Sequence, residues 1–271
     1  MISRYPGSES PLNTIVSVDA MSTLTRQRTE ESLTAEGVFD GRFIANSYGR
    51  NADVDTGSIP EDIWALGGVY TGFPTGSAET LDILSSSAND AAAGTGMRTL
   101  RIIGLDANYD LQTEDVTLNG ATGVTTAGTW RRVFMAYGLT AGSTGTNEGN
   151  ITIQHTTTTA NVFAYMLIGY GQTENSNYTI PAGYTGYLRS YSASVLNETA
   201  NGTTIAIWFR EFGNAVRLIR SFAVDNTFEY RNDPYGGIKL PEKTDFIFRA
   251  LDVVADNANV SVSYDLVLVR N

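Results

Sequence analysis

From about residue 80 to the C-terminus, Gly, Asn or Asp interrupt the chain at intervals of roughly 8–12 residues, the spacing expected of a sandwich or barrel of antiparallel strands. Within the runs the side chains alternate with period two. Ile205, Ile207 and Phe209 fall on one face of a strand, with Ala206, Trp208 and Arg210 on the other. Near the C-terminus Val260, Val262, Tyr264, Leu266 and Leu268 face one way, and Ser261, Ser263 and Asp265 the other. A strand so patterned has one buried side. The 33 threonines and 27 glycines favour strands and tight turns over helices. The fold class is therefore all-β: one or two antiparallel, jelly-roll-like β-sandwich domains preceded by an irregular N-terminal arm.

A chain of 271 residues, 42% hydrophobic, can bury one large core or two smaller ones. The partition expected is an arm or linker over 1–56, a first sandwich over 57–172 and a second over 173–271. The blocks join through Gly171-Gln172-Thr173-Glu174-Asn175-Ser176-Asn177. A single larger jelly roll drawing strands from both blocks stays open. The arm holds one helical candidate, Met21–Ala35, in which Leu24 and Arg28 share a face with Leu33 nearby and Gly37 ends the turn. Such a segment is expected to need a partner surface to settle.

A net charge of -11 and a pI near 4.5 leave no phosphate-neutralising surface overall, so nucleic acid is not an expected partner. Of 18 basic residues only Lys239 and Lys243 are lysines. The 16 arginines suit planar, bidentate pairing with carboxylates in packed interfaces. There is no cysteine, which excludes thiolate and disulfide chemistry. Met1 to Pro6 carry no apolar signal region, and no run approaches about 18 apolar residues, so neither a visible export signal nor a membrane anchor is expected.

Candidate chemistry is sparse. The single histidine, His155, sits in the strand-like run Ile151–Thr156 and reads as a strand-surface residue, too isolated for a relay or an imidazole metal site. Gly94-Thr95-Gly96 and Gly169-Tyr170-Gly171 lack the rest of a phosphate cradle and read as turns. Asp106-Ala107-Asn108-Tyr109-Asp110 resembles the start of a calcium loop, but Leu111 and Thr117 stand where glycine and glutamate belong. Asn51, Asp53 and Asp55 fail similarly, and Asx-rich turns explain both runs. Glu30-Glu31, Glu61-Asp62 and Glu114-Asp115 are neighbours that a strand would point to opposite faces, which is unfavourable for a paired-carboxylate glycosidase. Tyr165, Tyr170, Tyr178, Tyr184, Tyr187 and Tyr191 crowd into one stretch, as interface or core residues do and as sugar platforms also do. The glycosylation patterns at Asn197 and Asn201 are expected by chance in so Asn- and Thr-rich a chain. No enzyme, cofactor or metal is expected.

Several runs together resemble a family of structural proteins of tailed phages and other large viruses, often marine. They are Tyr48-Gly49-Arg50-Asn51, the run Ile59–Gly68 (IPEDIWALGG), Ser85–Asp90 (SSSAND), Gly94-Thr95-Gly96, Gly104–Tyr109 (GLDANY) and Val116–Gly120 (VTLNG). Ile180-Pro181-Ala182-Gly183, Leu240–Asp245 (LPEKTD) and Arg249-Ala250 follow, so the resemblance spans about 48–271 and leaves 1–47 unmatched. It implies a β-sandwich virion protein whose recurrent residues serve turns and packing: Trp64 as a core plug, and Gly120, Gly183 and Pro181 as structural positions. The function expected is a capsid decoration or cement protein, or a head-fibre base. It would form a homo-oligomer, a trimer by expectation, on the major capsid protein or other virion proteins at the head exterior. Arg210, Arg217, Arg220, Arg231, Tyr184, Tyr187 and Tyr191 are the expected interface residues. The alternative is a tail- or fibre-associated host-binding module.

Overall fold

The computed structural model describes residues 16–17, 26–27, 30–196, 202–225, 230–232 and 237–271. Among them the protein is all-β apart from one short helix, and all its paired strands run antiparallel. Strands β1 (Val16–Ser17) and β2 (Arg26–Gln27) form a small ladder. Helix α1 (Glu30–Ala35) follows. It is shorter than the predicted Met21–Ala35 helix, of which Leu24 and Arg28 lie outside the described residues. Gly37 does end it, at φ +72°, and the Val38 and Gly37 amides cap the carbonyls of Leu33 and Thr34.

The first sandwich sets β11 (Val162–Met166), β10 (Ile151–His155), β5 (Leu81–Ser85) and β8 (Val124–Thr125), in that order, against β7 (Leu111–Thr117), β6 (Met97–Leu105) and β9 (Arg132–Ala141). Leu81, Ile83, Ile102, Val133, Ile151, Ile153 and Phe163 are fully buried in its core, which Trp130 closes. The second sandwich has one sheet of β12 (Tyr178–Thr179), β18 (Asp245–Val253), β14 (Gly202–Arg210) and β15 (Arg217–Asp225), with β4 (Glu61–Asp62) also on β18. Its other sheet is β16 (Tyr230–Asn232), β13 (Tyr184–Leu196), β19 (Ala258–Arg270) and β3 (Arg42–Val54), with β17 (Ile238–Leu240) also on β13. The predicted alternations hold: Ile205, Ile207 and Phe209 face inward from β14, and Val260 to Leu268 face inward from β19.

Two sequence-based boundaries move. Residues 42–54 belong to no arm: β3 pairs with β19 from Arg42↔Val269 to Val54↔Ala258 and so completes the second sandwich. Its periodicity is faint because the inward positions along its middle, Ser47, Gly49 and Asn51, are small or polar. A Cβ on Gly49 would stand 2.4 Å from both the Ile63 carbonyl and the Ser176 amide. The join at 171–177 is likewise no open linker, since its last five residues, 173–177, are all buried. The halves also share apolar contacts. Leu105 and Phe134, from β6 and β9, lie in the second sandwich's core, where the Phe134 ring stacks on Tyr178 at 4.0 Å.

Candidate functional site

Four buried carboxylates organise the interior. Asp245, at the start of β18, takes a bidentate pair from Arg132 of β9, Nε to Oδ1 at 2.7 Å and Nη2 to Oδ2 at 2.9 Å. Arg210 adds its guanidinium, and the Thr179 hydroxyl donates at 2.6 Å. Arg132 is only 1% exposed, and its third nitrogen, Nη1, donates to the Pro74 and Arg131 carbonyls. Asp62 is paired the same way by Arg249, at 2.6 and 2.8 Å, and by the Tyr70 amide at 2.7 Å. Both pairs link residues far apart in the chain and cross the boundary expected at 172. Charge-assisted bidentate geometry of this kind binds strongly and directionally.

The electrostatics of the two pairs differ. Burial opposes ionisation of Asp245, but Arg132, Thr179 and Arg210 together outweigh it and hold the carboxyl below the usual aspartate range. Burial also dominates at Asp62, where one guanidinium and one amide do not offset it, and this carboxyl is pushed up. Beside it, Glu61 accepts from Asn51 at 2.9 Å and the Gly68 amide at 2.8 Å. Glu61 and Asp62 thus diverge, as neighbours in a strand must.

The fourth acid, Asp90, holds the loops of the first sandwich. It accepts from the amides of Met97, Glu148 and Gly149 at 2.8–2.9 Å and from the Ser85 hydroxyl at 2.6 Å. The glycine pair beside it is turn chemistry, because a Cβ on Gly94 or Gly96 would collide with the Asn89 carbonyl or Asp90 itself. Carboxylates saturated in this way hold structure; their lone pairs already have partners. Asp106 behaves similarly as an Asx turn, accepting from the Asn108 and Asp110 amides at 2.7 and 3.0 Å. Among the described residues no group of three or more His, Asp or Glu side chains converges as a metal site would require.

His155 corrects its sequence assignment. It is 1% exposed, inward-facing in phase with Ile151 and Ile153, and lies against the Phe163 ring at 4.6 Å. Burial lowers its pKa, with Glu79 at 3.6 Å opposing. The expected interface residues separate into two groups. Tyr191 is a core residue at 1% exposure, and Arg210 serves Asp245, so neither faces outward. Tyr184 and Tyr187 are half-buried on β13, with Tyr184 edge-on to Phe43. Arg217, Arg220 and Arg231 are exposed. Trp64 is buried, edge-on to Tyr70 at 4.9 Å. Gly120 at φ +62° and Gly183 at φ +73° occupy the left-handed region, and Pro181 is buried. Asn197 and Asn201 lie outside the described residues.

Two outer surfaces stand apart from this interior. Strand β15 is an edge strand, bonded only to β14 among the described residues; Leu218, in register with Trp208, lies exposed on its outer side, while Arg220 stands opposite the buried Ile207 and reaches toward Tyr191. Phe212 and Val216 in the preceding turn are 64% and 51% exposed, which makes the edge apolar as well as unpaired. The outer face of β3, β19, β13 and β16 is instead mainly polar and holds a cavity of about 580 Å³, whose lining also includes Met135 of β9 and Gln172.

No family model matches the chain, and no curated protein matches it. Among solved structures, that of infectious bursal disease virus strain Gt is 11% identical, with a TM-score of 0.20 over 85% of this chain and 73% of that one. The VP2 subviral particle of the same virus is 9% identical, with a TM-score of 0.18 over 86% and 73%.

Proposed function

We propose that this chain is a virion structural protein, of the capsid decoration or cement type or a head-fibre base, which works by joining copies of itself on a particle surface. One observation carries the reading: the β15 edge, where a strand side with no partner among the described residues, the exposed Phe212, Val216 and Leu218, and the exposed Arg217 and Arg220 coincide. An exposed apolar edge is an aggregation hazard unless a partner covers it, and in a symmetric assembly the partner is a like subunit. The resemblance supports the same reading. Its recurrent residues include Glu61, Asp62, Trp64, Asp90 and Asp245, which here build the buried framework. The trimer, the major capsid protein as substrate surface and the head exterior as location all belong to this proposal. So does the division into two sandwiches, revised to include β3 in the second.

Quantitative gels of purified particles test it. Copies on the order of hundreds per particle fit a head protein, whereas about three to eighteen fit the host-binding alternative on a tail. Absence from mature particles overturns both.

A further inference from the structure

The polar outer face of the second sandwich has the construction of a ligand groove. Tyr48, Ser263, Ser192 and Arg231 occupy one register row across β3, β19, β13 and β16, and all point outward. A tyrosine ring, 41% exposed, stands at one side of the sheet and a guanidinium at the other. Two serines, hydrogen-bonded to each other at 2.8 Å, form the floor between them. With strands about 4.8 Å apart, the two walls stand roughly 14 Å apart at their backbones. The next row along the strands adds Asn46, Asp265 and Ser190, with Asp265 fixed by hydrogen bonds from the other two. On the far side the row of Arg50, Ser261 and Ser194 continues the groove, and Arg50 lies over the Tyr170 ring at 5.1 Å. A volume of about 580 Å³ lies within the range of small-ligand sites.

We infer that this groove binds a neutral polysaccharide segment, with Tyr48 stacking on a sugar ring and the serine, asparagine and aspartate side chains reading its hydroxyls. The chemistry discriminates among occupants. Serine hydroxyls donate and accept, which suits a ligand studded with hydroxyl groups. Among the described residues lining the cavity, the exposed large apolar side chain is the Tyr48 ring, matching the flat C–H face of a pyranose. Arg231 and Asp265 balance in charge, and Arg50 is paired with Glu174 at 3.3 Å, so the groove has no net preference for an anion. A second copy would need an apolar centre, which this face lacks and the β15 edge has. A peptide strand would need free backbone groups, and β19 and β13 at the groove floor are paired on both sides. Nucleic acid is disfavoured by the chain's charge of -11. The inference stands on the groove alone and holds whether the protein sits on a head or a tail.

Affinity electrophoresis of the full chain through gels containing a soluble glucan, mannan or galactan, with alginate as the anionic control, tests it. At least one neutral polymer should retard the wild type. Tyr48→Ala should weaken that retardation by about tenfold or more, and Ser192→Trp, which fills the floor from an outward position, should abolish it. Both variants should keep the wild-type melting temperature, and Leu218→Glu on the β15 edge should bind as the wild type does. No retardation by any neutral polymer would overturn the inference, as would retardation by alginate alone or retardation that survives both groove variants. Self-association removed by Ser192→Trp would assign the face to a second copy and overturn it equally.

Discussion

Asp90 and Asp245 are both buried and both saturated, yet they hold different things. Asp90 gathers three backbone amides and a hydroxyl from loops of its own sandwich. Asp245 gathers two guanidinium groups and a hydroxyl, and Arg132 reaches it from the other half of the chain. One carboxylate therefore shapes a local turn system, while the other joins two sandwiches. The contrast shows where rigidity comes from in an all-β chain without disulfides: a few buried acids, each fitted to the donors its surroundings supply.

The largest effect should come from removing the long-range acid. Asp245→Ala leaves Arg132 buried without a counter-charge, which costs about 3–5 kcal/mol. Calorimetry should then show a melting temperature lower by roughly 10 °C or more. Amide exchange should rise along both partners of the pair, in β9 and β18. Asp90→Asn should cost less, about 2–3 kcal/mol, because an amide keeps one acceptor and loses the other. Its exchange should rise at Met97, Glu148 and Gly149 while β18 stays protected. Equal spreading of both effects through the molecule would break the distinction.

Acid titration sharpens the comparison within the pairs that join the halves. The folded pKa of Asp245 is depressed, so its stabilisation is fully present above the unfolded value of about 3.9 and is lost as pH falls through the folded one. Asp62 is shifted the opposite way, so its contribution is present at low pH and lost as pH rises through its folded pKa. Asp245→Asn should flatten the loss of stability on acidification below about pH 4, whereas Asp62→Asn should remove a gain that acidification brings above about pH 4, between the unfolded value and the raised folded one. Denaturant midpoints measured against pH would show either slope. The smallest effect is expected at the solvent-exposed pair of Arg101 and Asp115, 2.6 Å apart across β6 and β7. Arg101→Ala should leave the melting temperature unchanged within error, since exposed pairs contribute little.

Much of this was legible in the sequence. The strand faces of β14 and β19 follow directly from alternation, as do the turn glycines and the Asx turn at Asp106. Alternation also carried the information that His155 is buried, since it continues the phase of Ile151 and Ile153; its polarity argued the other way. The preference for arginine over lysine pointed to bidentate carboxylate pairing. That pairing is found inside the molecule, at Arg132 and Arg249, and the expected outward role of Arg210 is taken by Asp245. The partners could not be read because 113 and 187 residues separate them. Strand β3 was hidden because its inward face meets the polar 173–177 segment, so Ser47, Gly49 and Asn51 stand where apolar residues would have marked a strand. The groove was illegible for a related reason: its four side chains come from four strands and share only a register.

Sedimentation velocity of the purified full chain, with and without Leu218→Glu, addresses assembly through the β15 edge most directly. The wild type should form a discrete oligomer that grows with concentration, and the variant should sediment as a monomer with an unchanged fold by circular dichroism. A wild type that remains monomeric up to its solubility limit, or an oligomer indifferent to Leu218→Glu, would contradict the account.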